Sequence, residues 1–126
     1  MPEEKTVMII EDDRFLSSLI KTRLEKEGYK VSQAFDGGEA IEALKQANPK
    51  PNLIILDLIM PKSNGFEVLE YTSVDPELNK TPIIVLSNLA QESDVEKTRQ
   101  LGATEFFVKV RISVDDIAKK VKSMIG

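Results

Sequence analysis

Four short runs of this chain are apolar almost without a break: Val7-Met8-Ile9-Ile10, Leu53-Ile54-Ile55-Leu56, Ile83-Ile84-Val85-Leu86 and Phe106-Phe107-Val108. Runs this short, bounded by polar residues, Gly or Pro, read as strands; those at 7–10, 53–56 and 83–86 are apolar enough to be covered on both faces. The fourth run belongs to a strand over 105–109. A segment at 29–35 alternates apolar and polar, as a strand with one wetter face does.

Between these runs the apolar positions change to helical spacing. Phe15, Leu16, Leu19, Ile20 and Leu24 line one face and are stopped by Gly28. After an Asp36-Gly37-Gly38 turn, Ala40, Ile41, Ala43, Leu44 and Ala47 line a second, closed by Pro49 and Pro51. Gly65 opens a third around Phe66, Leu69 and Thr72. A polar loop with Pro76 leads to Thr81-Pro82 and the next strand. Ser93-Asp94-Val95-Glu96 has the form of a capping box for a fourth helix, ending at Leu101-Gly102. Val114, Ile117, Ala118, Val121, Met124 and Ile125 form the last helical face.

Strictly alternating strands and helices predict one α/β domain over residues 1–126, with a doubly wound sheet of five parallel strands. The simplest strand order is the flavodoxin-like 2-1-3-4-5. It places a topological switch point between the first and third strands, and ligands bind there, at the strands' carboxyl ends.

Composition removes several functions. The chain has no Cys and no His, so disulfides, thiolate chemistry, zinc ligation by imidazole and a phosphohistidine on this chain are all excluded. A formal net charge of -4 without a basic run argues against direct nucleic-acid binding. No apolar run approaches a membrane span and no signal-peptide core follows Met1, so a cytoplasmic location with no membrane attachment is expected.

The candidate chemistry sits where each strand stops. Glu11-Asp12-Asp13 follows the first strand, Asp57 the third and Ser87 the fourth, and Lys109 ends the fifth. A carboxylate at the end of a strand as apolar as 53–56 is costly to desolvate without a cation or donors beside it. Clustered acids repel an incoming phosphate unless a divalent cation neutralises them, and all-oxygen ligands select Mg2+ or Mn2+. With Lys109 and Ser87 to hold transferring oxygens, the set has the makings of a metal-assisted phosphoryl acceptor. Taken singly, the acidic triple also reads as a solvated turn with a helix cap, and Lys109 as a surface residue. The conjunction at one end of four strands favours the site.

These residues also carry a family resemblance. Ile9-Ile10-Glu11-Asp12-Asp13, Ala34-Phe35-Asp36-Gly37, Leu56-Asp57-Leu58-Ile59-Met60-Pro61 with Gly65, Pro82-Ile83-Ile84-Val85-Leu86-Ser87, and Leu101-Gly102-Ala103 leading to Val108-Lys109 resemble the receiver domains of two-component response regulators. The resemblance covers essentially the whole chain. It implies that Asp57 accepts phosphate from a sensor histidine kinase or a phosphotransfer protein. It also implies that Asp12 ligates Mg2+ directly and Glu11 through water, with Asp57 and the backbone carbonyl of Ile59 completing the set. Asp13 is then accessory or a helix cap. Phe106 maps to the switch aromatic, and a downstream protein target is expected on the fourth helix, fifth strand and fifth helix. The chain looks like a stand-alone regulator.

Three positions depart from the pattern. Val110 stands where relatives usually have Pro in a cis bond. Asn88 stands where Ala or Gly is usual, and is expected to narrow access to Asp57. Phe106 lacks a Tyr hydroxyl. A cis bond before Val costs about 2.5–4 kcal/mol, so Lys109–Val110 is expected to be trans. Apolar Ile59 and Leu89 flank the approach of a hydrolytic water, which predicts a slowly decaying phosphoform.

The alternative is a degenerate receiver acting as a phosphorylation-independent interaction module. An Asp-nucleophile phosphatase is disfavoured by Ile59, where such enzymes carry a second Asp. A flavin phosphate would meet acids rather than donors after the first strand. Neither changes the reading of a phosphoacceptor that turns over no external substrate.

Overall fold

The computed structural model describes residues 4–60, 64–88 and 91–126. Its elements run β1 (Thr6–Ile10), α1 (Arg14–Lys26), β2 (Lys30–Ala34), α2 (Gly37–Gln46), β3 (Leu53–Asp57), α3 (Gly65–Val74), β4 (Ile83–Ser87), α4 (Glu92–Gln100), β5 (Glu105–Val108) and α5 (Val114–Ile125), with one 3-10 turn at Lys109–Arg111. All neighbouring strands are parallel, in the order β2-β1-β3-β4-β5. The alternating pattern therefore yields the doubly wound sheet that it predicts.

Every residue of β3 and β4 is buried, which is why their sequences leave no polar position before the last residue. The edge strands β2 and β5 are partly wet. Two core layers sandwich the sheet. Val7, Ile9, Leu53, Ile55, Ile84 and Leu86 pack with Ile20 and Leu24 of α1 and Ile117 and Val121 of α5. Met8, Ile10, Ile54, Leu56, Ile83 and Val85 pack with Ala40 and Leu44 of α2 and Val68 and Leu69 of α3.

Local details correct three sequence readings. The capping box expected at Ser93–Glu96 is not formed. α4 already begins at Glu92 after Gln91, so Ser93 lies inside the first turn, and Glu96 pairs instead with Arg99 at 2.8 Å. A reciprocal capping box does open α5, between Ser113 and Asp116. Gly37 and Gly38 open α2 behind an Asp36 cap rather than forming a separate turn. Lys109 is not the last strand residue, because the ladder ends on the Ser87–Val108 rung and the chain then tightens into the 3-10 turn.

Candidate functional site

Strand alternation decides which side chains meet. Side chains along a strand point to opposite faces in turn. After Val7 and Ile9, Glu11 falls on the face packed by α1 and α5; Asp57 follows Leu53 and Ile55 there, and Lys109 follows Phe107. Ser87 has the opposite parity. It follows Ile83 and Val85, on the face where Phe106 also packs.

The three residues of the first face converge. The Lys109 ammonium stands 2.7 Å from Glu11 Oε1 and 3.2 Å from Asp57 Oδ2. The Glu11 contact is an ion pair without hydrogen-bond alignment. The opposite oxygens take backbone donors: Ile59 N–H donates to Asp57 Oδ1 at 3.3 Å, and Asp13 N–H to Glu11 Oε2 at 3.0 Å. Glu11 and Asp57 are 2% and 4% exposed, Ser87 is fully buried and Asp12 is exposed.

Two buried carboxylates thus share one ammonium. Burial pushes the Glu11 carboxyl up to about 7, against Lys109 and the Asp13 amide, which lower it. Burial likewise raises Asp57, against the charge of Lys109. Lys109 would be depressed by burial, but the two acids outweigh it and hold the ammonium above the ordinary lysine value. The pocket is short of positive charge.

Glu11, Asp12 and Asp57 each bring a carboxylate oxygen to within 4.8 Å of the others. A hard oxygen set of this kind, already deficient in positive charge, fits a divalent cation of the Mg2+ or Mn2+ class. Asp13 does other work. Its side chain accepts from Leu16 N–H at 3.0 Å and caps α1.

A family model described as the response regulator receiver domain matches residues 7–122. The chain belongs to that family. It is 32% identical over 122 residues to the polar-differentiation response regulator DivK of Brucella anthropi, covering 97% of each chain. The phosphorylated cyanobacterial phytochrome response regulator RcpA superposes with a TM-score of 0.81 at 30% identity, over 96% of this chain and 91% of that one. The Mn(2+)-bound form of response regulator Rcp1 superposes at 0.78 with 31% identity, over 94% and 90%.

As a receiver domain the chain is a phosphoacceptor, not an enzyme that turns over an external substrate. Glu11, Asp12 and Asp57 form its acidic pocket for phosphorylation, and a histidine kinase is the partner that membership implies. Among the described residues, no helix of this receiver domain is long and apolar enough to cross a membrane.

Asn88, expected to narrow the mouth, turns its side-chain oxygen to the Val110 N–H at 3.1 Å. The Lys109–Val110 bond is trans, as expected for a non-proline residue. Ile59 is 55% exposed beside the acceptor, whereas Leu89 and Pro61 lie outside the described residues.

Gly65, read from sequence as a helix-opening residue, has a further role. Its N–H donates to Leu58 O at 2.7 Å. A Cβ there would lie 2.7 Å from the Asp57 carbonyl oxygen and 2.8 Å from Leu58 Cα. Backbone cannot swing aside as a side-chain tip can. Gly65→Ala is therefore expected to lower unfolding free energy by about 1–3 kcal/mol and to shift the segment carrying Ile59. Denaturant unfolding checks the first effect, and unchanged Ile59 amide chemical shifts would contradict the second.

Proposed function

We propose that Asp57 accepts a phosphoryl group from the phosphohistidine of a sensor histidine kinase or phosphotransfer protein. The observation that carries this reading is the Lys109 ammonium bridging Glu11 and Asp57 at the end of the switch-point crevice. An Asp57 carboxylate oxygen attacks phosphorus, and the P–N bond breaks with its electron pair passing to the departing imidazole. Lys109 leaves its ion pairs to follow the transferring oxygens, and the Ser87 hydroxyl donates to one of them. Asp12 directly, Glu11 through water, Asp57 and the Ile59 carbonyl would hold Mg2+, with Mn2+ able to replace it. When bound, that cation would neutralise the approach of anion to anion. The manganese-bound relative Rcp1 supports this choice of metal.

Asp12→Ala is accordingly expected to abolish the rise in melting temperature that magnesium produces by binding the folded state. Asp13→Ala should keep that rise while losing about 1 kcal/mol of stability with its helix cap. Thermal melts across a magnesium titration separate the two. The reverse ranking would move the metal register by one residue.

The phosphoryl group then biases a protein-binding face on α4, β5 and α5 through Ser87 and Phe106. Three features support that route. Ser87 and Phe106 share a sheet face, Phe106 is only partly buried, and a surface cavity of about 150 Å³ between α4 and β5 is lined by Phe106, Val95 and Thr98. The domain over 1–126, a cytoplasmic setting and a protein target rather than nucleic acid belong to the same reading. Amide hydrogen exchange with and without phosphorylation tests it. Changes should reach from Ser87 to 101–113, and confinement to the loops around Asp57 would rule out this relay.

A further inference from the structure

We propose that Asn88 is a positioning residue for Lys109, holding the turn that carries the ammonium by accepting the Val110 N–H. The proposal rests on the reading of Lys109 given above and extends it to how that side chain is aimed. The β4–β5 ladder ends on the Ser87–Val108 rung, so no strand pairing restrains the next peptide. The 3-10 turn at Lys109–Arg111 has no side-chain cap of its own. The first N–H groups of any such turn lack partners within it. Asn88 Oδ1 supplies one from 22 positions away, at 3.1 Å. Packing does not hold Val110, which is 78% exposed.

The consequence for Lys109 is geometric. The amide that Asn88 grips lies in the planar peptide unit whose first atom is Lys109 Cα. Fixing that plane fixes the base of the Lys109 side chain, whose far end must reach Glu11 Oε1 and Asp57 Oδ2 together. The two residues form a matched pair. A proline at 110 has no N–H to give, and an alanine or glycine at 88 has no side-chain acceptor. The Asn88 side chain is engaged at the 109–111 turn.

The test measures initial phosphorylation rates by intact mass, with acetyl phosphate and magnesium, on the full chain. Asn88→Ala and Asn88→Leu are made both alone and in a Lys109→Ala background. Both substitutions are expected to slow the otherwise wild-type protein about threefold to tenfold, the effect of one net hydrogen bond. Neither should slow Lys109→Ala further, because Asn88 acts through Lys109. Val110 amide exchange should accelerate in both Asn88 variants, whatever the rates.

Equal slowing in both backgrounds overturns the proposal. So does slowing by Leu but not by Ala, which would mean an obstructed mouth, and so does unchanged Val110 exchange. If Lys109→Ala itself phosphorylates at the wild-type rate, the role of Lys109 falls, and the positioning role with it. That outcome is distinct from one in which Lys109 matters and Asn88 does not.

Discussion

Asp57→Asn is expected to take up no phosphoryl group under conditions in which the wild-type chain gains one. The substitution keeps the shape of the side chain and removes its charge, leaving an amide oxygen that is a poor nucleophile. The neighbouring acids are badly placed to substitute. Glu11 has Oε1 against the Lys109 ammonium and Oε2 against the Asp13 N–H, and Asp12 is exposed at the rim. The mutant should still fold. Burial raises the Asp57 carboxyl, so folding disfavours its ionised form. A neutral isostere removes this penalty, and the melting temperature at pH 7 should not fall. Intact mass after incubation with a small phosphodonor and magnesium is the measurement. A persisting gain of one phosphoryl group would move the acceptor elsewhere.

Lys109→Ala should show the second largest effect, and mainly on rate. Removing one preorganised group from a developing anion typically costs about 10²–10³ in rate. A comparable loss is expected here, because the ammonium is already poised within 3.2 Å of the acceptor oxygen. Breaking a buried ion pair can cost about 3–5 kcal/mol of stability. The loss should be smaller here, because Glu11, with its carboxyl already near 7, takes up a proton when its partner goes. Lys109→Arg should not restore the rate, since a planar fork cannot occupy the place of a compact ammonium between two carboxylates. Phosphorylation rates within about threefold of wild type in Lys109→Ala would remove Lys109 from the transfer step.

Much of this architecture is legible in the chain because burial leaves a strong imprint. β1, β3 and β4 are covered on both faces and are written as apolar runs. The polar residues that end them therefore stand out, and Glu11 and Asp57 do meet, bridged by Lys109 from the end of β5. The capping box failed because S-x-x-E is a statement about position. Ser93 would have to precede the helix, and α4 starts one residue before it. Gly65 was legible as a helix-opening glycine but not as a residue pressed against the Asp57 backbone, which is a fact of packing. Asn88 and Val110 read as two separate departures from the receiver pattern. That one accepts the other's amide proton depends on a contact across 22 residues, to which neither side chain's local context points.

The division of the sheet into two faces has a bearing on which genetic changes this domain survives. Glu11, Asp57 and Lys109 lie on one face, Ser87 and Phe106 on the other, and alternation alone separates them. A one-residue slip turns every side chain of a strand over. Deleting Glu105, with the chain before it held in register, would carry Phe106 toward α5 and aim Lys109 away from Asp57, although both residues remained. Point substitutions at the wet positions of β5 should be absorbed, while length changes within that strand should disable transfer and relay together. Insertions belong at the far end of the sheet, beyond the amino-terminal rungs such as Thr6–Lys30, where no functional side chain depends on the count.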